Sequence, residues 1–329
     1  MYLLRSRTRK AAGYLFEELH IGGPLRLLGG ARFEQSQVQG AFHADISAPD
    51  GTLVSRERTF DLASGSIGAR YDLPLGVAAR ATATYAERAP EAQELFSKGA
   101  HEATGTFEIG NPGLRKEVAK TVEVGLERKT GSFRFNASVF AMRYDGFISR
   151  QLTGDTCGAT IASCIAGDGE ELKKAVFDQR DARFHGVELS GELDVARVWH
   201  GTWGLSGQYD RVSARFDGGE AVPRIPPQRL GAGLFYRDKA LIARISLLHA
   251  FAQTEVGNNE TTTAGYNMLN AELSHTTLLP SVGALKPELT LGIKGENLLD
   301  DDVRNHASFK KDEVLQPGRT VRAFGVLKF

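Results

Sequence analysis

The sequence predicts an all-β protein, an antiparallel transmembrane β-barrel. Three observations predict it: an apolar and polar alternation of period two, strands of about nine residues or more, and connections that alternate short and long. Successive side chains of a strand point to opposite faces, so such alternation makes one face oily and the other wet. From Val187 to Val195 every odd position is apolar or glycine and every even position is polar. The same phase holds from Leu289 to Asn297. It holds again at the carboxy terminus, where Val321, Ala323, Gly325, Leu327 and Phe329 alternate with Arg322, Phe324, Val326 and Lys328. Leu25 to Phe33 and Leu75 to Tyr85 behave alike, whereas an amphipathic helix requires apolar spacings of three and four.

Thirteen strands are expected, at 11–19, 24–34, 59–71, 75–86, 116–128, 132–148, 182–195, 200–216, 228–237, 240–251, 264–275, 285–297 and 320–329. Most reach the length a tilted strand needs to cross a bilayer. The tight connections are Ile21-Gly22-Gly23, Asp72-Leu73-Pro74, Lys129-Thr130-Gly131, Ala196 to Trp199 and Arg237-Asp238-Lys239, with the longer 276–284 as the exception. The long ones are 35–58, 87–115, 149–181, 217–227, 252–263 and 298–319. An outer-membrane barrel has short periplasmic turns and long extracellular loops. With the long loops uppermost, Tyr85 falls at the upper end of its strand. Trp203, Tyr236 and Phe329 fall at lower ends, where aromatic rings favour the water–lipid boundary. If the last strand ends in the periplasm, counting back through thirteen strands starts the first one outside the cell. Closed bacterial barrels have even counts and an open sheet exposes edges to hydrocarbon, so the expectation is the carboxy-terminal part of a larger barrel.

Composition agrees with this reading. Forty basic and forty acidic side chains cancel, which argues against a nucleic-acid partner drawn by phosphate charge. Thirty-seven glycines in 329 residues exceed the usual ~7% and suit turns and closely packed strands. No apolar run approaches the ~18 residues of a membrane-spanning helix. The basic start, Met1 to Lys10, lacks the apolar core and cleavage site of a secretory signal. Cys157 and Cys164 stand close together in a stretch rich in Gly, Thr, Ala and Asp, and are expected to form a disulfide closing a small loop, which implies an oxidising compartment. Alone they lack the spacing and second ligand pair of a zinc site.

Several motifs together resemble the TonB-dependent outer-membrane receptors. Tyr85 to Phe96 resembles the R-x-P-x-x-x-E-L-[FY] strand exit of that family, and Asn111 to Glu117 its N-P-x-L-x-x-E segment leading into the next strand. Gly186-Val187-Glu188-Leu189 is similar to its G-V-E-L strand, Pro223 to Arg229 to P-R-I-P-P-x-R, and Asn297-Leu298-Leu299-Asp300 to N-L-x-[DN]. Each motif is weak singly; in this order, over about 250 residues, they are specific. The resemblance implies a barrel of about 22 strands, an amino-terminal plug absent from this chain, and coupling to the TonB energy-transducing complex through that plug. It also implies that the barrel assembly machinery reads the final strand ending in Phe329 by strand pairing. On this reading the fragment alone performs no coupled uptake, its outer wall contacts outer-membrane lipid, and it is no enzyme.

Lys98 to Asn111 is similar to a stretch of the zinc-uptake receptors within the family, as are Asn305 to Asp312 and Pro317-Gly318-Arg319. The resemblance implies zinc as the transported ligand, with no resident cofactor. It points to His101 as a ligand, with Glu102 and Glu108 as further candidates because imidazole and carboxylate suit Zn²⁺. From spacing alone His101 reads as a solvated loop histidine. His43, His185, His306 and Asp300-Asp301-Asp302 read as surface groups. Arg32, Glu34, Arg80, Glu123, Glu127, Glu188, Glu192, Lys294, Glu296 and Arg322 mix both signs and are expected to form a water-solvated lumenal wall. The alternatives are a siderophore or haem receptor of the same family, a passive porin, and a soluble β-sandwich. A hydrolase is disfavoured because His249 and Ser246 fall on opposite faces of one strand.

Overall fold

The computed structural model describes residues 3–43, 53–160, 163–164, 171–281, 283 and 285–329, with the side chain of His43 left outside. The remainder, including Met1 and Tyr2 of the basic amino-terminal run, lies outside the described residues. Among the described residues fifteen strands occur in chain order. The first eight are β1 (Ser6–His20), β2 (Leu25–His43), β3 (Leu53–Asp72), β4 (Val77–Arg88), β5 (Lys98–His101), β6 (Thr106–Ile109), β7 (Glu117–Arg128) and β8 (Phe133–Cys157). The rest are β9 (Leu172–Val198), β10 (Gly201–Phe216), β11 (Arg229–Arg237), β12 (Leu241–Ala250), β13 (Tyr266–Leu278), β14 (Glu288–Glu296) and β15 (Thr320–Lys328). A short helix, α1 (Ala92–Phe96), lies between β4 and β5.

Thirteen of these strands form one antiparallel wall in the order β1-β2-β3-β4-β7-β8-β9-β10-β11-β12-β13-β14-β15, each hydrogen-bonded to its sequence neighbours in the wall. Strand pairing gives the backbone amides and carbonyls of the wall their partners, the condition for a wall in hydrocarbon. The wall does not close: β1 pairs with β2 alone and β15 with β14 alone among the described residues.

Register carries the alternation across neighbouring strands. Leu273 stands opposite Ala243 on one side and Ile293 on the other, and Ile293 opposite Ala323, so the oily positions form continuous rows on one face. Ile67, Val122, Val139, Ile293 and Val321 are all exposed on that face. The other face carries ion pairs of mixed sign: Arg80 with Glu123 at 3.0 Å, Arg134 with Glu192 at 3.1 Å and Asp194 at 2.7 Å, Arg237 with the same two acids, and Lys294 with Glu296 at 3.0 Å. Trp203 and Tyr236 lie 5.3 Å apart at the short-turn end of β10 and β11.

The thirteen wall strands coincide with the thirteen expected segments, but five of them run several residues further, β1 beginning already at Ser6. β2 and β3 continue to His43 and back from Leu53, and β8 and β9 continue to Cys157 and back from Leu172, through segments expected to be loop. Beyond the bilayer both faces of a hairpin meet water or other loops. The apolar alternation that marks a membrane strand then fades while the backbone ladder persists. β5, β6 and α1 also fall within an expected loop.

An arginine placed on the oily face near mid-membrane should cost about 2–4 kcal/mol. Val124→Arg is therefore expected to lower the folding free energy of the barrel in denaturant titrations by that amount, and Thr121→Arg on the wet face by much less.

Candidate ligand-capture loops

The segment between β4 and β7 is held shut at its base by the two motifs that flank it. Arg88, at the end of β4, donates to Glu94 at 2.9 Å and to both carboxylate oxygens of Glu117 at 3.2 Å, the first residue of β7. Glu94 also accepts the Glu91 amide at 2.8 Å, completing a capping box on α1. The Asn111 amide donates to the Glu94 carbonyl at 2.8 Å, and Asn111 Oδ1 accepts the Gly113 amide at 2.8 Å. Leu95, Phe96 and Leu114 are then buried in a core with Val38, Phe60, Leu62, Ile148 and Phe177. Phe96 lies so close to Gly40 that a Cβ there would stand 2.3 Å from its ring, so β2 must present a glycine at that point.

From this base β5 and β6 project as a hairpin. β6 pairs in parallel with the edge of β9, Thr106 opposite Lys173 through Ile109 opposite Val176, beyond the point where β10 leaves that edge at Phe216. The Cys157–Cys164 disulfide packs beneath it with Phe107 and Leu172 in a small core.

The hairpin brings His101 and Glu108 together. Glu108 is wholly buried, and its Oε1 receives His101 Nδ1 at 2.7 Å, the Thr104 hydroxyl at 3.1 Å, the Thr106 hydroxyl at 3.2 Å and the Arg150 guanidinium. Its Oε2 has no hydrogen-bond partner among the described residues. The His101 side chain is 23% exposed, and burial followed by the Arg150 charge holds its imidazole below the ordinary histidine range, favouring the neutral, ligating form. Glu102 is exposed at the tip. Among the described residues no three His, Cys, Asp or Glu side chains converge to hold a metal ion.

Arg150 connects this hairpin to the later loops. Its guanidinium lies 3.7 Å over the Phe309 ring, and Arg224 lies 4.1 Å over the same ring while donating to the Arg150 carbonyl at 2.7 Å. Burial pushes the Arg224 guanidinium down to about 10. Glu260 accepts the Arg224 amide at 3.0 Å, the Gly257 amide at 2.9 Å and Lys311 Nζ at 3.1 Å. Lys311 also donates to the Thr261 carbonyl. His306, expected at the surface, is 1% exposed: Nδ1 meets the Thr263 hydroxyl at 2.7 Å and Nε2 lies 3.4 Å from Glu260. Asp300 and Asp301 of the acidic run are also structural, accepting the Arg319 and Asn267 amides at 2.7 Å each, whereas His185 is exposed. Arg150, Arg224, Glu260, Phe309 and Lys311 escape sequence reasoning because their partners lie in other loops. The P-R-I-P-P-x-R motif contains Arg224 and the Asn305 to Asp312 resemblance contains Phe309 and Lys311, but neither indicated these contacts.

Burial and the nearby Lys311 charge hold His306 below its ordinary value, against the opposing pull of Glu260. The folded loops therefore resist its protonation. Their packing is complete above the unfolded histidine value of about 6.5 and weakens as pH falls below it. Hydrogen exchange in 251–265 and 297–319, normalised to intrinsic rates, should quicken about threefold or more from pH 7.5 to pH 5. His306→Gln should flatten that dependence.

Comparison with known proteins places the wall and loops in context. Residues 2–298 match the family described as TonB dependent receptor-like, beta-barrel. The chain is 30% identical over 247 residues to heme/hemopexin utilization protein C of Haemophilus influenzae, a match covering 67% of this chain and 32% of that protein. Among solved structures it resembles the copper transporter OprC, with a TM-score of 0.71, 19% identity, and 98% of this chain and 48% of that one covered. It also resembles a double mutant of the Serratia marcescens hemophore receptor HasR in complex with its hemophore HasA and heme, with a TM-score of 0.60, 17% identity, and 97% and 51% covered. The chain spans about a third of the length of the curated relatives it matches. Identities below a quarter speak for the fold alone; the family match covers most of the chain, is one of transporters rather than enzymes, and sets the wall in the outer membrane. The chain belongs to the TonB-dependent receptor β-barrel family.

Proposed function

We propose that this chain forms part of the barrel of a receptor that takes up a haem-containing ligand across the outer membrane. The extracellular loops capture the ligand, and the TonB complex, acting through an amino-terminal plug, opens the path inward. The observation that carries this reading is the 30% identity to a heme/hemopexin utilization protein over two thirds of the chain. The loop geometry supports it. His101 is partly exposed at a hairpin fixed by Glu108 and Arg150, and a neutral imidazole is a haem-iron ligand. In the same reading the barrel assembly machinery docks on β15, whose following residue, Phe329, is exposed.

Zinc is the second reading, favoured by His101 and Glu108 standing 2.7 Å apart within a stretch that resembles zinc-uptake receptors. Glu102 would have to swing toward them from the exposed tip. Haem and zinc are told apart by titrating each into the purified receptor that carries this sequence, following the haem absorption band and zinc calorimetry. Wild type is expected to bind haem, and His101→Ala to weaken it at least tenfold, about 1.4 kcal/mol. Zinc binding without haem binding would replace the first reading by the second; haem binding indifferent to His101→Ala would remove the assigned ligand.

A further inference from the structure

On the oily face of the wall, one cross-strand row is not oily. Tyr85 on β4 stands opposite Lys120 on β7, Lys120 opposite Arg143 on β8, Arg143 opposite Arg183 on β9, and Arg183 opposite Arg215 on β10. Residues in direct register share a face, and this is the face of Val122, Val139 and Leu189. Four adjacent strands thus present four cations side by side. Like charges directly opposite one another destabilise a sheet.

Carboxylates pair with each of these cations, but only from the loop side. Asp145 pairs with Lys120 at 2.6 Å and Arg143 at 3.6 Å, Asp217 with Arg143 at 3.5 Å and Arg183 at 2.9 Å, and Glu255 with Arg215 at 3.5 Å. Asp181 is spent on the Gly146 amide. All four acids lie on the loop side of the row. Toward the membrane the same face of β7 to β10 offers no carboxylate: next come Val122, Ala141, His185 and Ser213, then Val124, Val139, Val187 and a further cation, Arg211. The corresponding face of β11 to β14 carries no lysine or arginine. From β7 to β14 the cations of this face are thus confined to β7 to β10; the same face of β1 carries Arg7 and Arg9 on its extension toward the loops.

Their height is that of lipid headgroups. Arg215 is twelve residues up β10 from Trp203, which marks the lower boundary. At ~3.3 Å per residue and a tilt of roughly 40°, that is a rise of about 30 Å, just above the ~25 Å apolar band of such barrels. Tyr85 closes the row with the amphipathic ring favoured at that boundary. Below the cations lies a groove of about 650 Å³, walled by Leu189, Leu193, Leu205 and Leu230 and floored where Gly191 stands opposite Gly207.

We propose that this sector of the outer wall is a binding site for a phosphorylated, acylated lipid of the outer leaflet, with Arg143, Arg183, Arg211 and Arg215 on the phosphate and an acyl chain in the glycine-floored groove. Guanidinium groups hold phosphate oxygens in paired, directional hydrogen bonds, and a phosphate would meet these cations from the membrane side, where no carboxylate faces them. The groove starts two residues below Arg211's level on β9, where a chain hanging from that headgroup enters it.

The test is the phosphorylated lipid retained per barrel by the receptor carrying this sequence, purified from outer membranes in mild detergent and weighed by native mass spectrometry. The triple variant Arg143→Gln, Arg183→Gln, Arg215→Gln is expected to lose fivefold or more of it, and Arg183→Gln alone about half. A control at the periplasmic end, Lys239→Gln with Lys328→Gln, is expected to keep it. Heat-modifiable gel mobility reports barrel assembly, and if the triple variant fails to assemble the three single variants carry the reading. Wild-type lipid in the assembled variants, or equal loss in the control, would overturn the site. So would equal retention of a dephosphorylated lipid, or displacement by millimolar inorganic phosphate alone, which would reduce it to a simple anion patch.

Discussion

Every part of this structure depends on one constraint: backbone amides and carbonyls inside hydrocarbon must find partners within the protein. Thirteen strands in strict sequence order meet it by pairing each with its neighbour. Side chains are then free to specialise, because the ladder does not depend on them. Within the apolar band one face carries mostly oily side chains, while the other accumulates ion pairs such as Arg134 with Asp194. The tight turns and long loops follow from the same requirement. The chain must reverse at once on one side and has room to elaborate on the other.

In the loops the organising force changes from backbone pairing to side-chain electrostatics. The Arg88, Glu94 and Glu117 cluster fixes where one loop leaves and rejoins the wall. The Phe309 ring, held between two guanidinium groups, joins elements far apart in sequence. Buried charges of this kind are expensive when a partner is lost. The loop layer therefore behaves as one cooperative body rather than as independent flaps, and a hairpin such as β5–β6 inherits its position from contacts made by several others.

The wall was legible from sequence because period-two alternation is a direct imprint of a lipid and water boundary. Val187 to Val195 and Leu289 to Glu296 could hardly be read otherwise. Legibility stopped where that boundary stopped. The extensions of β8 and β9 lie beyond the bilayer among water and other loops, so Asp155 and Lys174 alternate with nothing periodic, and α1 is only five residues long. Within the loops His101 and Glu108 were marked by motif resemblance and do meet. The arginine joining them to Phe309 carried no signal, since a contact between positions 150 and 309 is invisible in either neighbourhood alone. His306 misled for the same reason: a single histidine among Asn, Ala and Ser reads as surface until the loop that covers it is known.

The parallel pairing of β6 on β9 occupies an edge that exists only because β10 stops at Phe216. Two segments thus compete for one strip of hydrogen-bond donors and acceptors. In a relative whose tenth strand ran six to nine residues longer, from the level of Ala182 to that of Val176 to Lys173, the hairpin would be evicted and its histidine carried elsewhere. Strand length at this single point is accordingly a control on the architecture of the mouth, open to variation by insertion or deletion without touching any residue that meets a ligand.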